Sequence, residues 1–412
     1  MSGRAVFVHD LALEQYGFGG EHPFNPLRVR LTVELCEALG LLEGFPFVGP
    51  EPATDEDLTT VHSLSYVRSV QKAGRGMGDL AELMDYGIGT QDNPIFADIH
   101  RACAHVVGAV IGACRLVANG EADHALCITG GLHHALRSRA SGFCVYNDVG
   151  AAIARLKQER PGIKIAYLDT DVHHGDGVQW LFYDDPDVLT ISLHESGRYL
   201  FPGTGGVEEK GRGRGAGYSV NVPLEPFTQD DSFIECFEAV VPAFLEAFGP
   251  DLIISQNGCD AHRLDPLAHL YATTRVYEHV PRRVHELAHE LCGGRWVAVG
   301  GGGYDIWRVV PRAWTALWAA VSHQELPEEL PAEWLEKWDD RSPVELPRRM
   351  RDEAGEHPRS GGSARSPKET AARSGSSCRR CCRSWADPSR PLGRRRFVVA
   401  FRRCKGSREH ES

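Results

Sequence analysis

Within the 412-residue chain, the densest group of side chains capable of chemistry is DTDVHHGDG at 169–177, which ends an apolar run over 163–168. In extended backbone, side chains two apart share a face, so Asp169, Asp171 and His173 converge. Asp171, His173, His174 and Asp176 put four ligating or acid/base groups within six residues. Such groups are costly to hold at a buried strand end without a use, and the arrangement is that of metal ligands.

Other loops add to this set. GGLHHALRSRASGFCVYND at 130–148 follows an apolar run over 125–129; its two glycines permit a tight turn, and adjacent His133 and His134 must face different ways. Gly142 and Phe143 form either a narrow apolar wall or ordinary packing. NGCDAHRLDPLAHL at 257–270 offers Asp260, His262 and Asp265 as further ligands, and four glycines at 300–303 allow a close backbone approach just before Tyr304. Asp92, in the ordered loop YGIGTQDNPIF, either grips a substrate backbone or caps a turn, and Arg28 is either part of a site wall or a surface charge.

Asp and His ligands without cysteine indicate a catalytic metal with an open position, and both zinc and ferrous iron accept them. Hydrolysis of an unactivated amide needs a metal to activate water, a base for the water's proton and a donor for the developing oxyanion. His133 and His134 are base and acid candidates, Asp169 and Asp176 are candidates to orient them, and Tyr304 supplies a hydroxyl. No GxSxG elbow or cysteine motif offers a nucleophile instead.

The elements that must position these groups are strands at 5–9, 125–129, 163–168, 188–193, 218–223, 252–256 and 296–299. They alternate with helices at 27–41, 58–72, 100–118, 149–157, 230–248, 276–292 and 307–322. This pattern predicts one α/β domain, a three-layer αβα sandwich around a mostly parallel sheet. Ligands of such sheets bind beyond the carboxyl ends of the strands, where the motifs at Gly130, Asp169, His194, Asn257 and Gly300 all fall. GRGRGAG at 211–217 enters a strand instead of opening a helix, which makes it a weak phosphate-loop signal. HELAH at 285–289 matches the zinc-protease pattern HExxH, but no third ligand follows at a suitable spacing and a Gly-Gly stop comes soon after; it reads as a chance match on an exposed helix.

No apolar run approaches the ~20 residues that cross a bilayer, and no secretory signal opens the chain, so a cytoplasmic enzyme without a membrane partner is expected. Eight of the 12 cysteines are scattered before residue 350 with no CxxC pair, as in a reducing compartment. The net charge of −11 conceals a body near −20 and a segment from Arg351 onward near +9. An acidic body repels nucleic acid and attracts cationic substrates such as lysine-rich peptides or polyamines. We therefore divide the chain into a catalytic domain at 1–345 and a basic tail at 346–412. The Arg, Ser and Gly content of the tail, with CRRCC at 378–382, reads as disorder in preference to a nucleic-acid arm or zinc knuckle. A shifted reading frame would produce the same abrupt change in composition.

GGLHHA, GFCVYND, DTDVHHGDG, FPGTG, GCDAHRLDP and GGGGY, in this order, resemble the histone deacetylase family of the arginase-deacetylase fold, over roughly 6–340. YGIGTQDNPIF and PAEWLEKW look like its bacterial acetoin-utilization branch. The resemblance implies hydrolysis of the acetyl amide of acetyl-lysine, with one divalent metal held by Asp171, His173 and Asp265: zinc, with iron as the alternative. It implies His134 as general base and acid, His133 as its electrostatic partner, Tyr304 polarising the carbonyl, and Asp169 and Asp176 supporting the histidines. Gly142, Phe143 and Phe201 would line the acyl-lysine tunnel, and Asp92 is counted with them as a substrate-tunnel residue. Asp169 and Ser192 would belong to a structural potassium site, and Arg28 to an acetate channel. Ala272 departs from the family's usual leucine or methionine, which implies a wider pocket. Small acetylated amines such as polyamines are the alternative substrates, and a non-catalytic acetyl-ligand binder is the alternative class. An arginase-like two-metal site is disfavoured by Gly175, where that class has Asp.

Overall fold

Runs such as Ile165–Asp169 and Trp296–Val299 are too short for helices and are buried on both faces, as the central strands of a covered parallel sheet must be. The computed structural model describes residues 4–353. Its strands are β1 (Ala5–Val8), β2 (Phe47–Val48), β3 (His124–Cys127), β4 (Ile165–Asp169), β5 (Val188–Glu195), β6 (Ser219–Leu224), β7 (Leu252–Gln256) and β8 (Trp296–Val299). They form one sheet in the order β2-β1-β3-β8-β7-β4-β5-β6, with every neighbouring pair parallel. The two-residue β2 was not expected, since so short an edge strand leaves no periodic signal.

The helices are α1 (Leu27–Ala38), α2 (Asp55–Thr59), α3 (Leu64–Gly74), α4 (Leu80–Asp85), α5 (Ile99–Ala118), α6 (Asp148–Glu159), α7 (Asp176–Leu181), α8 (Asp230–Phe248), α9 (Thr274–Cys292), α10 (Val310–Val321) and α11 (Ala332–Trp338). The single helix expected at 58–72 is two. Thr54 starts α2 with a reciprocal capping box, and Ser63 Oγ starts α3 by accepting from Tyr66 N–H. Strand alternation sorts the core into two layers. Phe7, Leu126, Leu168, Ile253 and Trp296 face α1, α8, α9 and α10, whereas Val6, Cys127, Tyr167, Ile254 and Val299 face α3, α5 and α6. The three-layer expectation therefore holds.

Helix α5 corrects one expectation, because its 20 residues are apolar enough on average to cross a bilayer. It is instead a core helix, packed against α3, α6 and β3 with most of its surface buried.

The packed body also passes the expected boundary at 345. Leu346 and Met350 are buried, and Arg351 clamps Glu278 with bonds of 2.8 and 2.9 Å. Asp352 accepts from His262 Nε2 at 2.7 Å and pairs with buried Arg312 at 3.0 Å. The CRRCC segment lies outside the described residues.

Burial opposes ionisation of Asp352, but the bond from His262 and the charge of Arg312 outweigh it and hold the carboxyl well below the usual range. A carboxyl depressed in the folded state contributes stability above its unfolded pKa and loses it as pH falls. Asp352→Ala should therefore cost about 3 kcal/mol at pH 7, since it strands Arg312. In urea titrations, the gap between wild type and variant should close as pH drops below about 4.

Candidate active site

Four strands adjacent in the sheet, β3-β8-β7-β4, send their carboxyl-end loops to one place. The loop after β3 carries His133 and His134. Asp148, at the first position of α6, fixes that loop by accepting from the N–H groups of Gly131 (2.7 Å) and Leu132 (2.8 Å). Burial pushes the Asp148 carboxyl up to about 6 despite those bonds. Asn147 caps α6 through Gly150 N–H, and its amide also donates to the carbonyls of His133 and Ala135. Sequence reasoning did not single out either residue, although an Asn-Asp pair opening a helix was a usable signal.

Each histidine is clamped by its own carboxylate. His133 Nδ1 donates to Asp169 Oδ2 at 2.8 Å, and His134 Nδ1 donates to Asp176 Oδ1 at 2.7 Å. The rings lie 3.9 Å apart between centroids, so the two cannot easily share a charge state. Burial would lower His133, but Asp169 and Asp171 overcome it and raise the imidazole to about 9. Burial and the charge of His133 lower His134 to about 4, against the pull of Asp176. The surroundings thus favour charge on His133 and oppose it on His134. Tyr167, two residues before Asp169 on the same strand face, places its hydroxyl 2.7 Å from Asp169 Oδ2.

The loop after β4 supplies Asp171 and His173, whose Nδ1 lies 3.3 Å from Asp171 Oδ1 and 3.0 Å from Asp260 Oδ2. The potential ligand atoms of Asp171, His173 and Asp260 lie within 4.8 Å of one another. The resemblance named Asp265 as the third ligand. Asp265 is buried beside this group, but its oxygens accept from the N–H groups of Leu267 (3.0 Å) and Tyr304 (2.8 Å). Burial and the nearby Asp260 push Asp265 up to about 8, while burial and Asp171 push Asp260 up to about 6. Carboxylates crowded in this way lack positive charge. A divalent cation at the open Asp/His donors would supply it, replacing the proton at His173 Nδ1, so the residues fit a metal.

His174, counted among the possible ligands, turns away; it accepts from the Thr204 hydroxyl and donates to Gln179 Oε1. His262 belongs to the Asp352 pair and not to the site. Ser192 pairs in register with Asp169, and its hydroxyl donates to His194 Nδ1.

The outer walls are aromatic. Phe201, 42% exposed, stands against His134 at 4.9 Å and His173 at 6.4 Å, and Phe143 meets Tyr304 at 5.7 Å between ring centroids. Gly142 admits this packing, because a Cβ there would lie 2.5 Å from the His134 ring. Exposed Asp92 is tied in through its carbonyl to His22, whose ring meets Phe143. Ala272 is buried in the core cluster and bridged to His262. Arg28 is buried, covers the rings of Phe24 and Trp314, and donates from Nη1 to Gly303 O at 3.0 Å; its Nε has no partner among the described residues.

With these features in place, the chain can be set beside known proteins. The Histone deacetylase domain model matches residues 22–321. The chain is 49% identical over 354 residues to the acetoin utilization protein AcuC of Bacillus subtilis (strain 168), covering 86% of this chain and 91% of that protein. The AcuC of Staphylococcus aureus (strain MRSA252) is 42% identical over 350 residues, with 85% and 90% covered. Among solved structures, a homologue of histone deacetylases from Aquifex aeolicus superposes with a TM-score of 0.76 at 30% identity, covering 90% of this chain and 99% of that one. A structure of such a homologue complexed with SAHA gives the same TM-score at 29% identity, with the same coverage.

Gly302 N–H donates to Asp171 Oδ2 at 2.6 Å, and a Cβ at Gly302 would overlap Asp260. Gly302→Ala should therefore displace the carboxylates and lower acetate release by about 10²-fold, as ångström-scale misplacement does. Circular dichroism should show the fold unchanged.

Proposed function

The chain belongs to the histone deacetylase family, and on that premise we propose that it hydrolyses the acetyl amide of Nε-acetyl-lysine in proteins, using zinc held by Asp171, His173 and Asp265. It is a deacetylase of the acetoin-utilization type, acting on acetylated substrates with a divalent metal. The observation that carries the reading is the unequal histidine pair. His133 and His134, each held by its own aspartate beside the Asp171/His173 donors and pushed in opposite directions by their surroundings, are what amide hydrolysis needs.

The bound metal supplies Lewis-acid polarisation and acidifies water. With Nδ1 fixed by Asp176, His134 presents Nε2 as the base that takes the water's proton and later returns it to the leaving amine. His133 stays protonated against Asp169 and stabilises negative charge as it develops. The Tyr304 hydroxyl donates to the carbonyl oxygen, while its backbone N–H anchors Asp265. Phe143 and Phe201 flank the lysine methylenes, with Gly142 keeping the passage narrow and Asp92 at its rim. Arg28, buried with Nε unpartnered, suits the departing acetate. Asp169 and Ser192 support a structural potassium ion. Eight free, buried cysteines among the described residues fit the cytoplasm. The catalytic unit extends through about residue 353, whose last residues pack on the body.

Acetate release from an acetyl-lysine peptide and an acetylated polyamine, measured side by side on metal-reconstituted protein, tests this reading. Peptide turnover should fall about 10²–10³-fold in Tyr304→Phe and about 10²–10⁴-fold in His134→Ala. Turnover of the polyamine alone would reassign the enzyme to small amines, and turnover of neither would sink the proposal.

A further inference from the structure

The amino end of the sheet, opposite the deacetylase centre, holds a second convergence of side chains that hydrolysis does not use. His124 opens β3, His285 and His289 lie one turn apart on α9, and His323 follows the end of α10. Their Nε2 atoms form a closed circuit: His124 to His289 at 3.2 Å, His289 to His285 at 3.1 Å, His285 to His323 at 3.4 Å and His323 to His124 at 3.1 Å. All four lie within 4.8 Å of one another. We propose that these four imidazoles bind one divalent transition-metal ion, zinc or a borderline relative such as cobalt or nickel, in a closed structural site.

The spacing is that of a filled coordination shell. Nitrogens held 2.0–2.1 Å from a tetrahedral ion stand about 3.3 Å apart. Hydrogen bonding is a poor account of the cluster, because each ring N–H points along one axis and serves one acceptor, whereas these four nitrogens face a common centre. The rings are also in the right form. Burial and mutual repulsion bring His124 to about 3 and His285 to about 4, and His323 is lowered by burial and by His289, so lone pairs are available at neutral pH.

The backbone bends to permit the cluster. His323 has φ 58, a left-handed conformation that a glycine would adopt without strain, at the turn that brings its ring onto His124 and His285. Gly294, at φ +84, leaves room for His289, since a Cβ there would come within 3.0 Å of that ring.

The HELAH motif thus has partners after all, supplied by β3 and by the residue after α10, which no local spacing rule would find. The protease reading stays excluded. Glu286 points to Arg283 at 2.8 Å, and four protein ligands leave no position for a reactive water. An ion here would tie together the start of β3 and the ends of α9 and α10.

The test is a Co²⁺ titration of chelator-stripped full-length protein, read by stoichiometry and by the absorption of tetrahedral Co²⁺. Wild type should bind a histidine-dependent equivalent in addition to the one at the deacetylase centre. Asp171→Asn should keep the tetrahedral spectrum and still gain thermal stability from Co²⁺. His289→Ala and His323→Ala, at exposed positions, should each lose one equivalent and that spectrum, with acetate release within about twofold of wild type. The difference between wild type and the histidine variants separates this site from the tail thiols. A stoichiometry unchanged by His323→Ala and His289→Ala, or a spectrum lost entirely in Asp171→Asn, would overturn the proposal.

Discussion

Buried negative charge is the constraint on which the active end of this molecule depends. Asp148, Asp169, Asp171, Asp176, Asp260 and Asp265 are all buried beyond the carboxyl ends of the central strands, and each must be compensated or protonated. The compensation is shared among different partners. Backbone N–H groups serve Asp148 and Asp265, histidine rings serve Asp169 and Asp176, and Gly302 N–H and His173 serve Asp171. Asp260 accepts from Val172 N–H and contacts His173, yet burial and mutual repulsion still hold it and Asp265 above the usual carboxylate range, which makes this corner suited to a cation. The glycines at 258, 301 and 302 follow from the same need, because a Cβ at any of them would run into a carboxylate oxygen of Asp171 or Asp260.

Much of this was legible in the chain. Short apolar runs ending in Asp, His or Gly marked the strand ends, and the rule that parallel sheets collect ligands at their carboxyl ends gathered 130–134, 169–176, 257–265 and 300–304 into one place. Strand periodicity put Asp171 and His173 together but assigned no partner to Tyr167. The separate contacts of the two carboxylates in the next loop were not legible. Asp260 and Asp265 are five residues apart in one loop, and only the folded path shows Asp260 facing His173 while Asp265 holds the backbone of Tyr304.

What the sequence hid was mostly long-range. His124, His289 and His323 meet although 165 and 199 residues of chain separate His124 from the other two. Asp352 completes a pair with Arg312 and His262 from a segment whose composition looked like tail. Polar signals in the two cases were plain enough, but a pattern read locally cannot say which distant elements the sheet order brings side by side. The fold places one histidine-rich cluster at each end of the same strands, with a proton-transfer pair at the carboxyl end and a symmetric convergence at the amino end.

The sheet order has a kinetic consequence. β8 is the last strand among the described residues, yet it lies in the middle of the sheet, bonded to β3 on one side and β7 on the other. Until residues 296–299 leave the ribosome, β2-β1-β3 and β7-β4-β5-β6 are two half-sheets, each with an open hydrogen-bonding edge. The catalytic histidines belong to one half and the Asp171 group to the other. Assembly of the active site therefore waits for a single four-residue strand to bridge the gap, and a nascent chain paused before that point exposes two apolar edges to its neighbours.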